Sequence, residues 1–288
     1  MDDLIADSHD VFLPECPPGS KGVHTWIFQA AKICHGIGLT PKEADTQIRS
    51  RMTREPSPSN EVTETVRKVF SADFEDLPPQ IRWPKPFPVE TIAALPPWNP
   101  EPPNQAPSAH EALHGLFAGN PLLCIGATLK RCYTEFLSEF EGLSEAQFIV
   151  PSPMMAHRAI SKSTGRMSPR ALEAVGPRKY IVVECDFTAE EAEGTGRTTQ
   201  GLCLGVLGLL RVYRDLVCVV DSGGKSVHGW FRVLEPDQES PEELLSFMQY
   251  AVAHGADRKT WTKNQLVRLP GGLRDNGKRQ HILFWSPL

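Results

Sequence analysis

The chain has 288 residues, 40% of them apolar and 23% charged, with 30 Lys and Arg against 35 Asp and Glu for a formal net charge of -5. The apolar fraction suffices for a packed core, which argues against wholesale disorder. The acidic balance argues against a protein that coats duplex DNA through bulk positive charge, while leaving room for a local basic groove.

Residues 1–18 read as a tail. Asp2, Asp3, Asp7 and Asp10 stand where a signal peptide would carry a basic segment and then an apolar run, so none is expected. Residues 19–75 predict a small helical bundle. Trp26, Ile27, Ala30, Ala31 and Cys34 mark a first helix. Thr40-Pro41-Lys42-Glu43 has the form of a capping box with Pro at the first helical position, and Ile48 and Met52 follow on one face. A third helix starts near Ser59 or Asn60, with Val62, Val66, Val69 and Phe70 at helical spacing.

Eleven of the 26 prolines then fall between Pro78 and Pro107. Proline fixes φ and removes a donor, so regular structure is not expected across residues 76–109. Two forms fit this linker: a semi-stiff extended tether, or a strap laid on the next domain and anchored by Trp83, Phe87 and Trp98.

Residues 110–288 read as an α+β domain. Residues 180–187 are β-branched and bounded by charge, a strand signal. Residues 198–213 read as a buried helix, 216–220 as a second strand and 226–233 as a third. Ser240-Pro241-Glu242-Glu243 is another capping box, opening a helix with Leu244, Leu245, Phe247, Met248 and Val252 that ends near Gly255. Residues 265–269 and 281–285 suggest a final strand pair around Gly271-Gly272. The order matches a split βαβ sheet with helices on one face. Residues 112–129 and 198–210 are apolar, but too short or too interrupted for a membrane span of about 20 apolar residues. The seven cysteines are scattered, with no C-x-x-C, which points to free thiols in a reducing, cytoplasmic setting rather than a zinc ribbon or disulfide scaffold.

Glu184 and Asp186 are the sharpest chemical signal. Residues i and i+2 of a strand share one face about 6.6–7 Å apart, and a divalent cation between two such carboxylates turns repulsion into attraction. Paired carboxylates of this kind suit Mg²⁺, which takes phosphate oxygens as further ligands. A solvated strand edge would also tolerate the pair. The second signal is Asp221-Ser222-Gly223-Gly224-Lys225-Ser226-Val227-His228. A Walker A loop would need Gly at 219, which is Val, so this run reads as a strand–turn–strand with a Gly-Gly turn. Ser226 and His228 then share one face. A hydroxyl, an imidazole and the Lys225 ammonium near paired carboxylates could cradle a triphosphate.

Glu184-x-Asp186 followed by Ser226-x-His228 resembles the first two motifs of the archaeo-eukaryotic primase and primase-polymerase superfamily. The run Ser222-Gly-Gly-Lys-Ser-x-His228 looks like the bacterial and mobile-element branch, as does Leu266-Val-Arg-Leu-Pro-Gly-Gly272 with Arg274, Asn276, Gly277 and Gln280. Ala256-Asp257 fits the place of the third motif. The resemblance implies an RRM-like catalytic core in which Glu184, Asp186 and Asp257 hold Mg²⁺ or Mn²⁺ and His228 contacts the incoming nucleotide. Asp221, at the end of the second strand, is a rival third carboxylate. Ser222, Lys225, Ser226 and Arg268 complete the implied nucleotide-binding set. Residues 19–72 are similar to the helical module that accompanies such primases, usually at their C-terminus; in this chain it comes first. Glu184 also departs from the Asp with which the first motif usually begins.

Basic residues cluster before the carboxylate strand, with Arg158, Lys162, Arg166, Arg170, Arg178 and Lys179, and again with Arg268, Arg274, Lys278 and Arg279. Lys162, Arg166, Arg170 and Arg274 are candidates for following a template backbone. The expected activity is a metal-dependent nucleotidyltransferase making or extending primers on single-stranded DNA, with a separately encoded helicase as a partner. A non-catalytic replication-initiation protein that keeps the fold, and a metal-dependent nuclease, are the alternatives.

Overall fold

The computed structural model describes residues 13–19, 22–36, 39–70, 81–162, 165–224, 226–235 and 238–287. The chain divides between Ile81 and Arg82 into two compact units. Among the described residues no helix is long and apolar enough to cross a membrane.

The first unit is built from α1 (Val23–Gly36), α2 (Pro41–Ser50) and α3 (Glu61–Val69). Thr40 starts α2 through a reciprocal cap: its hydroxyl accepts from the Glu43 N–H and the Glu43 carboxylate accepts from the Thr40 N–H. Val23, Ile27, Ala31, Cys34, Ile48, Val62, Val66 and Val69 meet in one apolar core. Inside it Glu61 is buried with Arg54, the Ser57 N–H and His24 as partners.

The second unit begins with the proline-rich stretch, and from residue 82 to 107 this is a strap. Its one helix, α4 (Val89–Ala93), buries Ile92 in the domain core. Trp83, Val89, Leu95 and Trp98 pack on the same core, and the Phe87 N–H donates to the Ala253 carbonyl at 2.7 Å. After α5 (Ala109–Leu116) come β1 (Leu122–Gly126), β2 (Cys132–Phe136), β3 (Phe148–Ile149), β4 (Ala159–Ile160), β5 (Met167–Ser168) and β6 (Tyr180–Cys185). The chain continues through α6 (Ala189–Glu193), α7 (Thr199–Leu210), β7 (Leu216–Asp221), β8 (Val227–Arg232), α8 (Pro241–Ala253), β9 (Val267–Arg268) and β10 (His281–Trp285).

The architecture is α+β. The central sheet has the antiparallel order β10-β7-β8-β6, so β6 and β7, joined by α7, run the same way with β8 between them. Strand alternation splits its side chains. Ile181, Val183, Val227 and Phe231 face α4, α7 and α8. Tyr180, Val182, Val220 and Trp230 face α5 and a second sheet of order β2-β1-β3-β9. The sequence pattern places the helices on one face of the central sheet but does not foresee the second sheet across the other. The expected pairing of residues 265–269 with 281–285 does not occur: β9 joins β3 in the second sheet, while β10 joins β7. Two-residue strands such as β3 and β9 carry no readable alternation, which is why that partner choice was invisible.

Candidate active site

The candidate residues collect at one end of the central sheet, where β6 finishes and β8 begins. Glu184 and His228 are direct cross-strand partners, and the polar pair replaces the apolar residues that fill the rest of that face. The Glu184 Oε1 lies 3.5 Å from His228 Nε2. The same imidazole nitrogen is 3.2 Å from the Ser226 hydroxyl, which donates to Ser222 Oγ at 3.1 Å. Ser222, Ser226, His228 and Glu184 thus form a continuous polar chain. The turn that sets it up uses Gly223 at φ +70°, a value that favours glycine. Lys225, assigned to the same turn, lies outside the described residues.

Asp257, the first candidate for a third carboxylate, arrives by way of α8. Ser240 caps that helix reciprocally with Glu243, and Gly255 ends it at φ +94° against the Phe187 ring. The chain then meets the outer edge of β6, where Ala256 bridges Cys185 and the Asp257 N–H donates to the Glu184 carbonyl at 2.8 Å. Asp257 also accepts from the Lys259 N–H at 3.0 Å and so opens the 3₁₀ turn Arg258–Trp261. Asp221, the rival, belongs to the opposite face. It pairs with Val227, and its carboxylate is taken up by the Gly223 N–H at 2.8 Å and by Gln200 of α7 at 3.2 Å.

Burial pushes the Glu184 carboxyl above its ordinary range, and the charge of Asp257 adds to the shift; the Ser226 hydroxyl, Arg268 and Lys259 oppose it. His228 is fully enclosed. Burial, reinforced by the Arg268 guanidinium, drives the imidazole down to about 3 against the pull of Asp186 and Asp221. The ring is therefore neutral at neutral pH, and its contact with Glu184 is a polar contact rather than an ion pair. Its Nδ1 is buried with no hydrogen-bond partner. Asp186, exposed just beyond the end of β6, acts on this imidazole through its charge.

Arg268 reaches the site from β9. Gln147 holds it at 3.2 Å and the Phe148 ring stacks on it at 4.5 Å. Arg274 donates to the Ser222 carbonyl at 3.0 Å, which anchors it on the same turn. The other template candidates sit apart. Lys162 and Arg166 lie between the strands of the separate β4–β5 hairpin, and Arg170 follows it, near Cys124 and Cys132. Gln147 belongs to no motif and was not foreseen, although it orients Arg268 and also receives the Gln280 amide at 3.0 Å.

Among the described residues no three or more His, Cys, Asp or Glu side chains form a group tight enough to hold a metal ion. The chemistry of the donors nevertheless suits a hard divalent cation. Glu184 is a partly buried carboxylate whose proton is held by that burial and by the charge of Asp257, and a cation would relieve both. No protein-family model, no curated protein and no solved structure matches the chain.

Proposed function

We propose that the chain is a metal-dependent nucleotidyltransferase that makes or extends primers on a single-stranded DNA template, in the replication of a bacterial or mobile genetic element. The observation that carries this reading is the cross-strand pair Glu184–His228 with Asp257 hydrogen-bonded to the backbone of Glu184. It supports the resemblance to the primase-polymerase core, because the residues of all three motifs meet at one sheet end.

Glu184, Asp186 and Asp257 are the residues that would hold Mg²⁺ or Mn²⁺. Such a cation, when bound, lowers the pKa of an attacking 3′-hydroxyl and neutralises charge on the departing pyrophosphate. The chain's own groups place the nucleotide. The neutral His228 ring would orient the Ser226 hydroxyl, whose uncharged hydrogen bond would recognise a phosphate oxygen without competing with the carboxylates for the cation. Arg268 and Arg274 add fixed positive charge where a triphosphate carries its negative charge.

The test compares the full chain with Asp186→Ala for incorporation of labelled nucleotide on single-stranded DNA in Mn²⁺. Incorporation by the wild type, falling more than about a hundredfold in the variant, is the expected result. Equal incorporation by both overturns the proposal. Degradation of the strand without incorporation would make the protein a nuclease. Metal-indifferent binding alone would make it a non-catalytic replication-initiation protein.

A further inference from the structure

β6 is an edge strand of the central sheet. Among the described residues its outer edge makes a single β-bridge, Cys185 to Ala256, and the rest is flanked by the turn Arg258–Trp261. Covering an open edge is a structural necessity. The composition of the cover is not dictated by that need. It carries Arg258, Lys259 and Lys263, and Arg178 and Lys179 lead into the strand at its far end. The nearest acidic residue in this segment is Asp257, which belongs to the candidate active site.

The inner pair of this strip is the informative one. The Arg178 Nη2 donates to the Trp261 carbonyl at 2.6 Å, and its guanidinium lies 4.8 Å from the centre of the Trp261 ring. Burial lowers Arg178 to about 10. Lys263 is lowered too, by its own burial and then by the charge of Arg178. Two half-buried cations are thus held near one another. Among the described residues, no carboxylate lies within 4.0 Å of Arg178, Lys263 or Lys259. Removing like charges from water without a counter-charge is unfavourable, and a bound anion reverses the sign of that cost. At the other end of the strip, Lys259 already acts on Glu184. Lys259 and Lys263 bracket Trp261 in sequence and Arg178 bonds to its carbonyl, so the three cations gather around the turn that covers this edge of β6.

We propose that Lys259, Lys263 and Arg178 form a phosphodiester track that holds the backbone of one nucleic-acid strand as it passes over the turn that covers the outer edge of β6, beside Glu184. The assignment of that strand as template or primer rests on the nucleotidyltransferase reading; the binding itself rests only on the charges.

The test measures binding of a fluorescent oligothymidylate to the full chain by anisotropy across a salt series. Each cation that contacts a single strand contributes about 0.7 to the slope of log affinity against log salt. Lys259→Gln/Lys263→Gln is expected to flatten that slope by about 1.4, and Arg178→Gln by about 0.7. Lys130→Gln/Arg131→Gln, which removes the same charge from the exposed β1–β2 turn, is expected to leave the slope unchanged. Thermal melts check the folding of Arg178→Gln, and the lysine pair decides the outcome if that variant does not fold. A wild-type slope in the lysine pair, an equal loss in the control pair, or no binding by the wild type overturns the track. Glu184→Gln separates the two proposals. If it and the wild type bind with the same slope while neither incorporates nucleotide, the track stands and the nucleotidyltransferase reading falls. Incorporation with an unaltered slope in the lysine pair sinks the track alone.

Discussion

Glu184 and His228 face one another across β6 and β8, the carboxylate Oε1 3.5 Å from the imidazole Nε2. Both depart from their ordinary titration in the direction that favours the neutral form, and burial is the leading cause for each. A carboxylate in that position is short of positive charge, and a neutral imidazole does not supply it. On the proposed reading, a bound cation would supply the charge that the imidazole does not.

Glu184 binds its proton more tightly in the folded chain than in the unfolded one. Stability from this group is therefore present below the ordinary value of 4.5 and lost as pH rises through the raised folded value. Glu184→Gln keeps the shape and removes the charge. Its melting temperature at neutral pH should exceed that of the wild type, with the gap closing below pH 4.5. On the proposed metal reading, Mn²⁺ should raise the wild type more than the variant, which lacks one of the three proposed ligands. A gap that does not vary with pH or Mn²⁺ in calorimetric melts would refute this account.

His228 gives the opposite limb. The unfolded imidazole takes up its proton near 6.5, while the folded one resists until about 3. The stabilising contribution is complete above 6.5 and is lost as pH falls toward 3. His228→Asn should flatten the stability profile across that window, read from denaturant titrations at a series of pH values. It should also weaken nucleotide binding by about tenfold, the equivalent of one hydrogen bond near 1.4 kcal/mol. An unchanged acid limb would mean that another group governs it.

Much of the fold of both units, and part of the candidate site, can be traced to local sequence. Thr40 and Ser240 open helices because a side-chain oxygen and a Glu three residues on exchange hydrogen bonds with the backbone, which requires no tertiary partner. Ser108 and Glu111 make the same exchange at α5, from a run of the same form. The opposition of Glu184 and His228 follows from two strands and their register. Arg268 was named from its motif, but its placement depends on Gln147, 121 positions away in sequence, through a two-residue strand with no pattern of its own. The approach of Arg178 to Trp261 spans 83 positions and is equally silent in sequence. Proline content leaves a tether and a strap both open, with Trp83, Phe87 and Trp98 as the strap's expected anchors; it gives no sign of α4 or of Ile92, since docking is decided by the surface that receives it.

In the helical unit, Glu61 is held near 2 by the Arg54 guanidinium, with the Ser57 N–H and His24 assisting against burial. The ordinary value is 4.5, so this stabilisation is full above 4.5 and disappears as pH falls through 2. Glu61→Gln leaves Arg54 without its carboxylate and should cost about 1–3 kcal/mol at neutral pH, with no penalty near pH 2. Urea unfolding of the full chain, followed through the helical signal, checks both ends of that range.

The strap offers a test of packing without charge. Ile92 is 1% exposed and sits against the core formed by α7 and α8. Trp98 closes the other end, its ring 5.8 Å from that of Phe284 and its Cβ where Gly208 leaves room for it. Truncating Ile92→Ala removes buried methyl groups and leaves a cavity, a loss of about 2–5 kcal/mol depending on how far the strap collapses. If residues 82–107 are held chiefly by these anchors, the variant should also expose the strap to protease well below the temperature at which the domain unfolds. Limited proteolysis with mass mapping reads this directly: new cuts confined to 82–107 are the expected result, whereas cuts spread evenly over the domain would mean that the strap and the core unfold together.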